Sequence, residues 1–224
     1  MPSSSLGNIE PVVEFLRDLA PRRVLEVGVG HGKYGVLLRE YLEVAYERYH
    51  RTQWRLELVG IEVFGEYRNP LWEYAYDRVV IEDIRRLDLA SLGKFDCGLL
   101  LDVIEHFDHE EGRKVLERLL ESCETVIVST PRRFVEQGVV LGNEHERHRS
   151  LWRRQDYRPY HCRYYQGREC SVTLLSRRPL PAGAGDDLFR HGRLRRLLLR
   201  TLPSPVVEFL VFAKRAFRTQ RPSG

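Results

Sequence analysis

The stretch Val24-Leu25-Glu26-Val27-Gly28-Val29-Gly30-His31-Gly32-Lys33-Tyr34-Gly35 constrains this chain more than any other. Val24 to Val27 are apolar apart from Glu26, the pattern of a short strand covered on both faces. Gly28, Gly30 and Gly32 then let the backbone turn with no Cβ between it and a ligand, and the helix that follows offers unpaired N–H groups at its start. A dinucleotide fingerprint would space its glycines G-x-G-x-x-G above a pyrophosphate. Here the third glycine comes one residue early and Lys33 stands in its place. Glu26 argues further against a pyrophosphate, because a carboxylate there repels one but receives an ammonium group, directly or through water.

The rest of the chain reads as alternating helix and strand. Ile9, Val12, Val13, Leu16 and Leu19 lie on one helical face, with Pro11 in the first turn and Pro21 as a stop. Lys33 to Tyr49 is expected as the next helix, and Leu56 to Glu62 as a second buried strand, which makes a right-handed βαβ unit. The aromatic run from Phe64 to Asp77 is expected as a helix whose rings pack across the sheet. Arg78 to Ile84, Lys94 to Asp102 and Thr125 to Pro131 are further strands, with a helix over Glu111 to Leu120. Cys162 to Tyr165 and Cys170 to Ser176 flank a turn and form a hairpin. The fold class is therefore α/β, a doubly wound and mostly parallel sheet whose last strand is antiparallel.

Composition narrows the setting. A chain of 224 residues, 42% hydrophobic and 30% charged, is expected to bury one substantial core. Cys97, Cys123, Cys162 and Cys170 show no C-x-x-C spacing and follow no secretory leader, so reduced thiols and a cytoplasmic location are expected. The net charge of +4 is uneven. Residues 188–224 hold nine Lys/Arg against Glu208, or +8, which leaves 27 basic and 31 acidic residues before them, or −4. That balance disfavours a nucleic-acid groove spread over the main fold.

Glu-x-Gly-x-Gly-x-Gly after an apolar strand, from Glu26 to Gly32, resembles the first motif of the class I S-adenosylmethionine-dependent methyltransferases. The resemblance covers roughly Val24 to Arg177 and implies a seven-stranded Rossmann-like sheet binding S-adenosylmethionine. It implies that Glu26, Gly28, Gly30 and Gly32 seat the amino-acid part of the donor. Glu62, at the second strand's end, has two oxygens for the vicinal ribose hydroxyls. By the same resemblance Asp83 accepts from the adenine amino group and the Ile84 backbone meets the ring edge. Asp102 would orient the methionine end.

Asp102-Val103-Ile104-Glu105-His106 looks like the fourth motif of that family. A helical turn here would bring Asp102, Glu105 and His106 to one side, where an acceptor hydroxyl would need a base. His106, with an unperturbed pKa near neutrality, suits that role. Together with His148-Arg149-x-x-Trp152, the motif also resembles the metal-dependent branch, which includes small-RNA 3′-terminal 2′-O-methyltransferases. That likeness implies a divalent cation held by Asp102, Glu105, His106 and His148, manganese, iron or zinc rather than magnesium.

The expected activity is methylation of a hydroxyl on a small molecule, lipid or sugar. The alternatives are an RNA ribose 2′-O-methyltransferase, a non-catalytic nucleoside-binding protein, and an NAD-dependent oxidoreductase. The expected organisation is a helix over 1–20, a catalytic domain over 21–178, a linker over 179–187 and a basic amphipathic tail over 188–224. The tail suits an anionic membrane surface, an RNA contact or a homodimer contact.

Overall fold

The computed structural model describes residues 4–186. The chain divides into units 1–185 and 186–224, and apart from Asp186 the second unit, with every expectation placed on the basic tail, lies outside the described residues. The first unit is built on one seven-stranded sheet of β1 (Arg23–Val27), β2 (Glu57–Glu62), β3 (Arg78–Ile81), β4 (Phe95–Leu101), β5 (Cys123–Pro131), β6 (His161–Gln166) and β7 (Cys170–Ser176). The spatial order is β3-β2-β1-β4-β5-β7-β6. The first five strands are parallel, and β7 runs antiparallel to both β5 and β6. Order reverses between β1 and β4, whose carboxyl ends flank the crevice where such sheets bind ligands.

Four helices cover the sheet: α1 (Ile9–Leu19), α2 (Lys33–Leu42), α3 (Pro70–Ala75) and α4 (His109–Ser122). Local chemistry sets their ends. Ala20 adopts φ 46° and its N–H closes α1 on the Leu16 carbonyl. Asp108 caps α4 by accepting from the Glu111 N–H at 2.8 Å. Leu25, Val27, Leu100, Leu116, Leu119 and Val128, all nearly inaccessible, belong to the core between α4 and the sheet.

Two expected helices are shorter than the pattern implied. The helix from Lys33 stops at Leu42, not Tyr49, because Glu43 is buried and its carboxylate accepts from the N–H groups of Arg55 and Leu56 at 2.7 and 2.6 Å. That bond turns the chain early toward β2. The aromatic run is helical only over α3, which opens on Asn69 as cap, accepting from the Leu71 N–H, with Pro70 in the first turn. The expected linker is also more than a connector. Ala184 is buried, and the Gly185 N–H donates to Asp18 at 2.9 Å, so this stretch docks on α1.

Candidate active site

Three glycines in left-handed conformation shape the turn after β1, Gly28 at φ 79°, Gly30 at 52° and Gly32 at 84°. The turn is fastened from two sides. Trp72 of α3 donates its indole N–H to the Gly30 carbonyl at 2.8 Å, and the Gly30 N–H donates to Glu62 at 2.8 Å. The second Glu62 oxygen accepts from the Phe64 N–H at 2.9 Å. Glu62 thus clamps the glycine turn, and burial raises its pKa against the lowering effect of those two bonds.

A cavity of about 220 Å³ opens above the turn. Glu26, Gly28, Gly30, Glu62, Asp83, Ile84, Asp102 and His106 all line it, so the carboxyl-bearing tips of β1, β2 and β4 and the loop after β3 share one crevice. Gly32, Glu105 and His148 do not line it. Gly32 sits beneath the turn, where an added Cβ would approach Trp72 at 3.3 Å.

Glu26 is 2% exposed, and burial pushes its pKa up to about 8, partly offset by the Tyr76 hydroxyl. At neutral pH the folded protein therefore holds this carboxyl mostly protonated, whereas an unfolded chain ionises it above about 4.3. The unfolded state releases the proton first, so stability falls as pH rises between those values. Glu26→Gln is expected to flatten urea-unfolding stability between pH 5 and 8 by up to roughly 1.4 kcal/mol per pH unit. An unchanged slope would refute the assignment.

Asp83 is clasped by Arg85, whose Nη2 donates at 2.6 Å and whose backbone N–H donates at 2.9 Å. Burial acts to raise its pKa, but the bonds and charge of Arg85 prevail and Asp83 stays below the usual carboxylate range. Asp102 adopts φ 53°. Its carboxylate accepts from the Ser5 N–H at 2.9 Å, from Asn8 Nδ2 at 2.8 Å and from Ser129 Oγ at 2.7 Å.

The expected grouping of Asp102, Glu105 and His106 forms only in part. The left-handed residue at Asp102 is followed by a single 3₁₀ turn, Ile104–His106, and of the three side chains Asp102 and His106 line the cavity while Glu105 does not. Glu105 is 2% exposed with neither carboxyl oxygen hydrogen-bonded, and burial first, then Asp102, raises its pKa well above normal. Its backbone carbonyl accepts from the Arg149 and Ser150 N–H groups, a structural role.

The metal assignment is corrected accordingly: among the described residues no group of three or more His, Cys, Asp or Glu side chains could hold an ion. The Asp102 carboxylate is held by Ser5, Asn8 and Ser129 and Glu105 is buried, while His148 donates through Nδ1 to the Val135 carbonyl at 2.7 Å, which leaves its Nε2 unprotonated.

His106 and His148 do meet, with ring centroids 5.0 Å apart. Burial lowers the His106 pKa, Glu146 raises it and His148 lowers it, and the net direction is down. His106 Nδ1 lies 3.3 Å from the Arg147 carbonyl, which can only accept. The Nδ1 tautomer therefore carries the proton, and Nε2 keeps a lone pair.

Sequence reasoning missed the cavity's far wall. Tyr67 donates to the Glu146 carboxylate at 3.1 Å and receives Asn143 Nδ2 at 3.3 Å, which ties the loop before His148 to the segment after β2. Lys33, seen only as a misfit in a dinucleotide fingerprint, donates to the Ser4 carbonyl and lines the cavity.

A glycine turn and a row of carboxyl-bearing strand tips, set at the switch point of a 3-2-1-4-5-7-6 sheet, define the class I S-adenosylmethionine-dependent methyltransferase fold. Solved structures with that fold superpose on most of the chain. The N-terminal domain of EvdMO1 with SAH bound is 17% identical over 78% of this chain and 82% of that one, with a TM-score of 0.53. The methyltransferase domain of bacterial CtHen1 (CN form) is 18% identical over 76% and 97%, also at 0.53. Magnesium protoporphyrin IX methyltransferase (ChlM) from Synechocystis PCC 6803 with bound SAH is 16% identical over 76% and 82%, at 0.53. No protein-family model and no curated protein matches the sequence.

Proposed function

We propose that this protein transfers the methyl group of S-adenosylmethionine to a hydroxyl of a small molecule, lipid or sugar. The observation that carries the reading is the shared cavity, in which Glu26, Glu62 and Asp83 stand on three successive tips beside the glycine turn and His106 closes the same space. Glu26 suits the donor's ammonium group, Glu62 its ribose hydroxyls, and Asp83 with Ile84 its adenine. SAH or S-adenosylmethionine is named in structures of the neighbours EvdMO1 and ChlM, in keeping with that placement.

In the transfer, the sulfonium S–CH3 bond breaks with its electron pair going to sulfur, an O–CH3 bond forms, and the hydroxyl proton passes to His106 Nε2. The neutral thioether is a good leaving group, so most of the acceleration comes from alignment and exclusion of water. A base within reach adds a further 10²- to 10⁴-fold, by the usual contribution of such groups. The cavity wall carries more acidic than basic side chains, which favours a neutral or cationic acceptor over a polyanion such as RNA.

Two measurements test this. Isothermal titration with SAH is expected to show saturable binding, and no heat at high micromolar ligand would overturn the proposal. His106→Asn should keep that affinity within about threefold yet slow SAH formation in the presence of a hydroxylated acceptor by about 10²-fold or more.

A further inference from the structure

Tyr76, between α3 and β3, is 3% exposed and reaches back to the glycine turn. Its hydroxyl donates to Glu26 Oε2 at 2.7 Å and receives the Gly35 N–H at 3.2 Å. Two glycines, Gly35 and Gly60, border this ring. A Cβ on Gly35, in α2, would stand 2.4 Å from Tyr76 Cε2 and 2.7 Å from its oxygen, and one on Gly60, in β2, would stand 2.5 Å from Val29 Cγ2 and 3.1 Å from Tyr76 Cδ1. Glycine weakens a helix or a strand relative to alanine. At Gly35 the three nearest obstructions all belong to Tyr76, whereas at Gly60 Val29 comes first and the Tyr76 ring second.

We propose that Tyr76 is a positioning residue of the donor pocket: it ties the Glu26 carboxyl to the first turn of α2 so that Glu26 gives up its proton when the donor's ammonium group arrives. The inference rests on the donor reading above and adds a residue and a proton to it. The step balances simply. A neutral carboxyl loses its proton to solvent, and the resulting carboxylate pairs with the ammonium ion.

The groups facing Glu26 act in known directions. Tyr76 lowers its pKa by hydrogen bonding, Glu62 from β2 raises it, and Lys33 from α2 lowers it. Lys33 in turn feels the charge of Asp102 at the tip of β4. Removing the Tyr76 hydroxyl takes away the largest contribution that favours the ionised form.

The test compares the full chain with Tyr76→Phe by calorimetric titration in buffers of different ionisation heat. The probes are SAH and 5′-methylthioadenosine, which keeps the nucleoside thioether and lacks the amino-acid arm. Between pH 6.5 and 7.5 the ligand amine stays protonated. The unmodified chain should release about 0.9 proton per SAH at pH 7, from a carboxyl titrating near 8, and almost none with 5′-methylthioadenosine.

Tyr76→Phe is expected to weaken SAH about tenfold at pH 7, the equivalent of one pKa unit. It should leave 5′-methylthioadenosine within about twofold and carry proton release on to higher pH. Equal weakening of both ligands would mean mere structural damage and overturn the proposal, as would unchanged SAH affinity and proton release. An unmodified chain that binds neither ligand would instead sink the donor reading. If Tyr76→Phe does not fold, Glu26→Gln serves: it should bind SAH without releasing a proton, and release at the unmodified level would refute the proposal.

Discussion

Gly28→Ala is expected to destabilise the fold by about 3 kcal/mol and to abolish SAH binding. The backbone at Gly28 has φ 79°, where an L side chain costs roughly 1–2 kcal/mol. An added Cβ would lie 2.5 Å from Val103 Cγ2, a separation that forces the turn or the strand tip to move. Such overpacking adds about 1–3 kcal/mol. The two contributions separate in a cycle with Val103→Ala, which removes the obstructing methyl groups and leaves φ unchanged. The double variant should recover about 1 kcal/mol relative to the sum of the single changes, measured by urea denaturation. Strict additivity would show that the contact is not the problem. SAH binding should return only in part, because the strained φ at residue 28 still displaces the turn that lines the cavity.

This turn was legible in the sequence because everything it needs is local: an apolar strand, glycines and a helix start within twelve residues. The same holds for Glu62 and Asp83, each read from the end of a short β-rich run. Local signals were also present where the reading overshot. Asn69 followed by Pro70 is a cap and first-turn pair that marks the true start of α3 within the aromatic run. Glu43 gave no such signal, since what ends α2 there is a bond to N–H groups of Arg55 and Leu56, twelve and thirteen residues on.

The incomplete grouping at Asp102 has a geometric cause. Spacings of three and four residues put side chains on one face only in a regular helix, and the left-handed residue at Asp102 breaks that rule. The pairing of His106 with His148, by contrast, came from the family resemblance rather than from any spacing, and the rings do meet. What the resemblance could not supply was the occupancy of the Asp102 carboxylate, which depends on Ser5, Asn8 and Ser129, none of them near the motif in sequence.

Asp102→Ala follows from that occupancy and should be the second costly change. The carboxylate holds Ser5 and Asn8 from 97 and 94 positions away, together with Ser129. Asn8 is fully buried, so deleting its acceptor leaves an amide N–H pair with only Ser129 Oγ in reach. An unsatisfied buried donor costs about 1–3 kcal/mol, and alanine tolerates φ 53° less well than the aspartate it replaces. Asp102→Asn keeps a side chain that tolerates the left-handed region and retains one acceptor oxygen, so the expected stability order is Asp, then Asn, then Ala. The functional loss should exceed the thermodynamic one. Ser4 forms part of the cavity wall and accepts from Lys33, so releasing Ser5 and Asn8 opens the pocket on that side. Amide exchange over residues 4–8 should quicken in both variants, more in Asp102→Ala, and SAH affinity should fall in the same order. Fast exchange with undiminished SAH binding would show that this segment covers the cavity without helping to hold the donor.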